Sequence, residues 1–164
     1  MSFLYHLGVR HACISPGARN FPLIYAFTKK SEITCYSHVD ERSSAYFGLG
    51  IAKATQNPVV LISTSGTAPA NFYPAVIEAS LSRVPLIILS ADRPNYLVGT
   101  GSSQTINQQK LYGNHVRYFK DVGLPSTETG CHREILENAF LYATGALREY
   151  PSGPVHLNFP FDEP

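Results

Sequence analysis

The stretch Val59-Val60-Leu61-Ile62-Ser63 is a continuous apolar run, and such runs form strands buried on both faces of a parallel sheet. A second run of this kind, Pro85-Leu86-Ile87-Ile88-Leu89-Ser90, follows after one helical segment. Two fully apolar strands that are joined by a helix predict a parallel βαβ unit whose sheet is covered on both sides.

On either side of these two runs, short β-branched stretches alternate with longer helical ones. Further strands are predicted over 11–15, 33–38, 115–122 and 155–159, and helices over 21–28, 40–55, 70–82, 104–112 and 131–149. Asp40 is a good N-cap for the second of these helices. A long loop is predicted over 91–103. The alternation predicts a three-layer α/β fold with a mostly parallel sheet and helices on both faces.

Charge and composition exclude several classes of protein. The 164 residues are 44% hydrophobic, and 13 Lys and Arg against 12 Asp and Glu give a formal net charge of +1. This balance argues against a chain built to bind nucleic acid or an anionic membrane surface. No apolar run approaches the roughly 20 residues that span a bilayer, and the first eight residues do not resemble a signal peptide. We therefore expect a cytoplasmic location.

Cysteine and histidine spacing gives no sign of a metal site. Cys13, Cys35 and Cys131 form no C-x-x-C pair, which predicts buried thiols in a reducing compartment. The six histidines are scattered without the i, i+4 spacing of metal ligands.

Charged residues make up only 15% of the chain and aromatic residues 12%. Because protein interfaces are depleted in charge and enriched in aromatics, we expect other protein to cover part of this surface.

In a parallel sheet, ligands bind beyond the carboxyl ends of the strands. The loops expected there cover 15–20, 38–43, 63–68 and 91–104. Neither G-x-x-x-x-G-K-[ST] nor G-x-S-x-G occurs in the chain, so a P-loop enzyme or a serine hydrolase is disfavoured. Gly48-Leu49-Gly50 lies inside a predicted helix, where glycines let the helix approach its neighbour closely.

Several residues in these loops could carry chemistry, and each also has a purely structural interpretation. Asp40 and Glu41 place two carboxylates at a helix start, where they either cap the helix and complement its dipole or act on a ligand. Ser65-Gly66-Thr67 is either a tight turn or a point where a ligand meets the backbone. Arg19 and Arg93 suit carboxylate recognition, although single loop arginines are often merely solvated.

Taken together, eight motifs resemble the N-terminal, pyrimidine-binding domain of thiamine-diphosphate-dependent enzymes. The resemblance is closest to the 2-succinyl-5-enolpyruvyl-6-hydroxy-3-cyclohexene-1-carboxylate (SEPHCHC) synthases of menaquinone synthesis, and it covers nearly the whole chain. The combination of D-E-R-S, T-S-G-T-A and A-D-R-P is the specific part. The motifs are 9–19 (VRHACISPGAR), 40–43 (DERS), 63–68 (STSGTA), 73–79 (YPAVIEA), 83–87 (RVPLI), 91–94 (ADRP), 104–108 (QTINQ) and 153–158 (GPVHLN).

The resemblance implies a carboligase reaction in which 2-oxoglutarate is decarboxylated on thiamine diphosphate and the carbanion adds to isochorismate. It implies that Glu41 is the catalytic acid that faces N1′ of the aminopyrimidine, and that the Ser65-Gly66-Thr67 loop also contacts the cofactor. Arg19, Arg93 and Gln104 correspond to family positions that line the substrate pocket, which fits because both substrates carry carboxylates.

Two positions depart from the family pattern. Ala18 stands where the family often has serine, and Ser103 stands where it often has asparagine. Ala18 removes a hydroxyl group from the expected substrate pocket. The departures bear on substrate contacts and leave the cofactor assignment unchanged.

The superfamily holds the diphosphate and Mg²⁺ in a second domain through a G-D-G…N-N motif, and no G-D-G occurs in this chain. We therefore expect residues 1–164 to be a single pyrimidine-binding domain of a longer enzyme, inactive alone and part of a homodimer or homotetramer. One alternative is an acetolactate-synthase-like decarboxylase, against which Arg19, Arg93 and Gln104 argue. Another is a non-enzymatic α/β module that binds a small anion or a protein at its strand ends.

Overall fold

The computed structural model describes residues 2–125, 129–147 and 149–162. The strands are β1 (His11–Ile14), β2 (Thr34–Ser37), β3 (Val59–Ser63), β4 (Leu86–Asp92), β5 (Phe119–Asp121) and β6 (Val155–Pro160). The helices are α1 (Ser2–Leu7), α2 (Phe21–Thr28), α3 (Glu41–Thr55), α4 (Tyr73–Ser82) and α5 (Thr129–Thr144), and short 3₁₀ turns cover Pro69–Phe72, Asn95–Leu97 and Gly113–His115.

The strands form a six-stranded sheet in the order β2-β1-β3-β4-β6-β5, and every recorded pairing is parallel. The two apolar runs become the central strands β3 and β4, in which every residue is buried. The predicted α/β fold with a parallel sheet is confirmed. The order reverses between β1 and β3, so the loops after these strands diverge and leave a crevice at the carboxyl edge of the sheet.

Alternate side chains of β3 enter two hydrophobic cores, one on each face of the sheet. Val60 and Ile62 belong to the core that also contains residues of α1, α2 and α5. Val59 and Leu61 belong to the opposite core, which contains residues of α3 and α4. Each fully buried aliphatic side chain of this size contributes about 1.5–3 kcal/mol relative to an exposed one. The two-sided burial explains why the runs are apolar at every position.

Gly48 of α3 lies directly against side chains of the sheet. A Cβ at this position would lie 2.5 Å from Cδ2 of Leu61 and 3.3 Å from Sγ of Cys13. The interpretation of Gly48 as a close-approach residue is therefore confirmed. Gly50 faces open space, so the same explanation does not hold for it.

The prediction of a helix over 104–112 is wrong. The segment runs through turns, and Gln104 and Lys110 have positive φ angles of 53° and 52°, which a right-handed helix does not allow. Gln108, in the middle of the segment, is buried and hydrogen-bonds to β4 and β6. Those bonds to distant strands override the local helix preference.

Other predicted boundaries also move. The strand predicted over 115–122 shortens to β5, and β4 extends into the predicted loop as far as Asp92. The helix predicted over 70–82 begins only at Tyr73, after a 3₁₀ turn, and the helix predicted over 131–149 ends at Thr144. Gly145 follows with a φ of 68°, the left-handed conformation that ends many helices. Helix α1 was not predicted, because six residues are too few for a periodic pattern.

The thiol prediction holds for Cys13, which is buried and free, whereas Cys35 is only half-buried; the Cys131 side chain lies outside the described residues. Burial raises the pKa of Cys13 to about 12, so its thiol stays protonated and unreactive at neutral pH. Among the helices that the structure describes, none is long and apolar enough to cross a bilayer.

Candidate functional site

Asp40 and Glu41 share a turn at the carboxyl end of β2, but their side chains lie in different surroundings. Oδ2 of Asp40 accepts a hydrogen bond from the Ser43 amide at 2.7 Å, which confirms Asp40 as the N-cap of α3. The hydrogen bonds from Ser43 also lower the pKa of Asp40. Glu41 is half-buried on the first turn, and within the described part of the chain its carboxylate makes no hydrogen bond or ion pair. That carboxylate is available to a ligand.

The loop after β3 binds two neighbouring segments. The Ser65 hydroxyl accepts a hydrogen bond from Nη1 of Arg93, and the Ser65 carbonyl accepts one from Nε2 of Gln104 at 3.2 Å. The Gly66 amide donates to Oε1 of Gln108 at 2.9 Å. Ser65 and Gly66 are buried, whereas Thr67 is exposed. Of the three residues of this loop that were predicted to contact a cofactor, only Thr67 is therefore exposed to solvent.

The three predicted substrate-binding residues line a common cavity of about 720 Å³ at the carboxyl edge of the sheet. Arg19 follows β1, Arg93 follows β4, and Gln104 belongs to the irregular segment between β4 and β5. This volume falls within the range of small-ligand pockets. The other lining residues are Ala18, Phe21, Pro22, Pro125, Phe161 and Asp162.

The cavity suits a carboxylate-bearing molecule. Two guanidinium groups and one amide supply fixed hydrogen-bond donors, and Phe21 and Phe161 supply apolar walls. Nη1 of Arg19 donates to the Phe161 carbonyl at 3.0 Å, which ties the loop after β1 to the end of β6. Glu41 and the Ser65-Gly66-Thr67 loop are not among the lining residues, although the strands before them end at this same edge. Their cofactor role stays a prediction.

Beneath the cavity lies a buried polar network that the sequence did not reveal. Asn158 of β6 is hydrogen-bonded to Ser90, Asp92 and Gln108 at 2.8, 2.8 and 2.9 Å. Burial raises the pKa of Asp92, against the lowering effect of its hydrogen bond to Asn158. Burial also lowers the pKa of His156 to about 3, so its imidazole is neutral. The only available signal was the position of Gln108 and Asn158 within the motifs already quoted.

Metal-ligating side chains do not gather at this edge. Within the ranges that the structure describes, no three His, Cys, Asp or Glu side chains come close enough to hold a metal ion. A second, apolar cavity of about 310 Å³ adjoins the first and shares Pro22, Pro125 and Phe161 with it.

Comparison with known proteins shows which family the chain belongs to. Residues 1–111 match the family model described as "Thiamine pyrophosphate enzyme, N-terminal TPP binding domain". The chain is 49% identical over 161 residues to a SEPHCHC synthase of Lysinibacillus sphaericus, and the match covers 98% of this chain and 28% of that enzyme. It is 50% identical over 157 residues to the synthase of the same name from Haloquadratum walsbyi, covering 96% of this chain and 25% of that enzyme.

A third relative, the SEPHCHC synthase of Listeria innocua, is 47% identical over 164 residues, which cover 98% of this chain and 28% of that enzyme. The chain thus spans little more than a quarter of the length of the curated relatives that it matches. The matched family model covers well over half of the chain. The chain belongs to the thiamine pyrophosphate enzyme family and is similar to the N-terminal part of its SEPHCHC synthases.

Proposed function

We propose that this chain is the pyrimidine-binding domain of a SEPHCHC synthase, which decarboxylates 2-oxoglutarate and adds the resulting carbanion to isochorismate in menaquinone biosynthesis. The observation that carries the proposal is the meeting of Arg19, Arg93 and Gln104 in one cavity. Both substrates carry carboxylates, and arginine pairs with carboxylates in a bidentate, oriented manner. The names of the relatives give independent support.

The residues at the carboxyl edge also fit thiamine diphosphate. The carboxylate of Glu41 is half-buried and makes no bond to the described residues, as a group that must share a proton with a ring nitrogen requires. When bound, the cofactor supplies the electron sink that decarboxylation of a 2-oxo acid needs. Glu41 would hold or release the proton that it shares with N1′ of the aminopyrimidine. Thr67 lies exposed on the neighbouring loop, where it would contact the cofactor.

The residues that line the cavity would bind and orient the substrate. Arg19 and Arg93 would bind the carboxylates and hold the reacting carbon in one orientation, and Gln104 would add a neutral donor. Phe161, which is half-buried, would keep water away from the reacting atoms on its side of the cavity. An acetolactate-synthase-like reaction is less well supported, because smaller 2-oxo acids have no second carboxylate for a second arginine.

The diphosphate and Mg²⁺ would be held by a further domain of the complete polypeptide, because the G-D-G motif for that task does not occur here. We further propose a homodimer or homotetramer in the cytoplasm. Exposed apolar side chains support the oligomer, since Phe21, Val39 and Phe47 are 63%, 95% and 44% exposed near the carboxyl edge of the sheet.

The test is turnover by the complete polypeptide that carries this chain, supplied with thiamine diphosphate, Mg²⁺, 2-oxoglutarate and isochorismate. We expect CO₂ release and a product containing both skeletons, detected by mass spectrometry. Arg93→Ala should raise the KM for 2-oxoglutarate at least about tenfold, and Arg93→Lys, which keeps the charge, should raise it less. Turnover of pyruvate to acetolactate, or no cofactor-dependent turnover, would contradict the proposal.

A further inference from the structure

Gln108, in the irregular segment 103–112, has a side chain that bonds to the loop after β3 and to the strands β4 and β6. It is 1% exposed. Its Oε1 accepts a hydrogen bond from the Gly66 amide at 2.9 Å, and its Nε2 donates to the Ala91 carbonyl at 3.1 Å and to Oδ1 of Asn158 at 2.9 Å. Both N–H donors and one of the two acceptor directions of this amide are therefore used inside the protein.

The directions of the neighbouring bonds fix this orientation. Oδ1 of Asn158 also accepts from the Ser90 hydroxyl at 2.8 Å, and its Nδ2 donates to Asp92 at 2.8 Å. Because Ser90 has only one hydroxyl proton, its oxygen must accept from Nε2–H of His156 at 2.7 Å. Flipping either amide would set donor against donor, so the network has a single arrangement.

This network holds Arg93 from two sides. On the backbone side, Oδ1 of Asp92 accepts from the Arg93 amide at 2.8 Å, while Oδ2 of the same carboxylate is bound to Asn158. On the side-chain side, Arg93 donates to the hydroxyl of Ser65, whose next residue, Gly66, is bound to Gln108. Gln104 donates to the Ser65 carbonyl, so it depends on the same anchor.

We propose that Gln108 is a positioning residue that fixes, through the Ser65–Gly66 loop and Asn158, the direction in which Arg93 and Gln104 point into the cavity. A guanidinium group discriminates a carboxylate by two parallel hydrogen bonds, and this pairing is lost when the guanidinium rotates. The inference rests on the proposed function only for the nature of the ligand, a dicarboxylate. The positioning itself is a property of the chain.

Nuclear magnetic resonance of the chain tests the positioning directly. Gln108→Met keeps the length and volume of the side chain but removes all three bonds, and Gln108→Asn is a milder variant that cannot reach Gly66. We expect hydrogen exchange of the Gly66 amide and of the Nη1–H group of Arg93, which donates to Ser65, to accelerate about tenfold or more, the worth of one lost buried hydrogen bond. Gln109→Ala, at the exposed neighbouring position, should leave both rates unchanged.

Arg117 is the internal control, because its guanidinium is bound to Ser80 and Pro151 away from this network. Exchange of its Nη1–H group, which donates to the Ser80 hydroxyl, should stay within about twofold of the wild-type rate. Equal acceleration at Arg93 and Arg117 would show general loosening and overturn the positioning role. Unchanged exchange at Arg93 in both Gln108 variants would overturn it as well. If Gln108→Met does not fold, the Gln108→Asn comparison alone decides.

Titration with 2-oxoglutarate separates this inference from the proposed function. In the complete polypeptide we expect the Arg93 and Gln104 side-chain signals to shift on binding, with a dissociation constant about tenfold higher in Gln108→Met. If the complete polypeptide binds no 2-oxoglutarate but Gln108→Met still changes Arg93 exchange, the ligand assignment fails and the positioning role stands. If binding and exchange are both unaffected by the substitution, the positioning role fails.

Discussion

Oδ2 of Asp40 lies 2.7 Å from the amide nitrogen of Ser43, and this single bond caps the helix that carries Glu41. The cap occupies Asp40 and leaves the adjacent carboxylate of Glu41 without a partner among the described residues. Two neighbouring acids that look equivalent in the sequence therefore differ in the structure, because only Asp40 caps the helix. Substitutions at the two positions should have different effects.

Asp40→Ala should destabilise the protein, because it removes the acceptor for the Ser43 amide. We expect Tm to fall by about 2–4 °C, and Asp40→Asn, which keeps a side-chain oxygen, to recover most of the loss. Differential scanning calorimetry at neutral pH measures both. An unchanged Tm in Asp40→Ala would mean that the cap is energetically irrelevant.

The contribution of Asp40 to the stability of the folded protein should also depend on pH. Hydrogen bonds from Ser43 lower its folded-state pKa below the ordinary 3.8. A lowered carboxyl pKa stabilises the folded state above the unfolded pKa, and this stabilisation is lost as pH falls through the folded pKa. The Tm gap between the wild type and Asp40→Ala should therefore be full above about pH 5 and narrow below pH 4. A gap that widens in acid would contradict this.

His156 should make the protein sensitive to mild acid. Burial lowers its pKa from 6.5 to about 3, so between these values the unfolded chain binds a proton that the folded chain does not. The free energy of unfolding should fall as pH falls through this window, by up to about 1.4 kcal/mol per pH unit. His156→Gln should flatten the slope, whereas His6→Gln, at an exposed site, controls for the loss of a histidine. Parallel slopes in the wild type and His156→Gln, measured by urea unfolding, would refute the assignment.

Local sequence was sufficient where local composition decides the structure. The runs that became β3 and β4 are apolar at every position because both faces of the sheet are covered, so their burial could be predicted directly. The meeting of Arg19 and Arg93 followed from the rule that the carboxyl ends of parallel strands share one edge, whereas Gln104 was expected there only from the family resemblance.

Long-range contacts explain what the sequence missed. The predicted helix 104–112 fails because Gln108 bonds to Asn158, which lies 50 residues away, and no local pattern encodes that bond. Helix α1 is too short to show a period, and it is fixed instead by burial of Leu4 in the core with α5 residues. The Ser90–His156 pair was hidden because its two residues lie 66 positions apart, in different strands.

Gly66 should tolerate no side chain, for two separate reasons. Its φ is 77°, and an added Cβ would lie 2.8 Å from Cγ and 3.0 Å from the carbonyl oxygen of Gln104. Gly99 has a similar φ of 80° but faces open space, so Gly99→Ala is the matched control for backbone strain alone. We expect Gly99→Ala to cost about 1 kcal/mol and Gly66→Ala clearly more, with the Gln104 side-chain signal displaced. Equal losses in urea unfolding would show that the contact with Gln104 is unimportant.

The exposed apolar side chains at the carboxyl edge should make the chain self-associate. Val39 directly follows this edge and is 95% exposed, with Phe47 44% exposed on the adjoining helix. Val39→Asn should weaken association by about tenfold or more, because the loss of one buried valine on each copy is repeated across the interface. Leu81→Asn removes another exposed side chain, 74% exposed at the end of α4, and should not weaken association. Sedimentation equilibrium decides, and a monomeric wild-type chain at high concentration would contradict the prediction.

The Glu41→Gln substitution in the complete polypeptide tests most directly whether this edge of the sheet serves thiamine diphosphate. The amide keeps the size of the side chain but has no acid proton to exchange, whereas the Asp40 cap stays intact. We expect proton exchange at C2 of the bound cofactor to slow by about two to four orders of magnitude, with Tm changed by only about 2 °C. Near wild-type exchange together with a modest loss of stability would mean that Glu41 is only a helix-start residue, and would contradict the proposed function of this site.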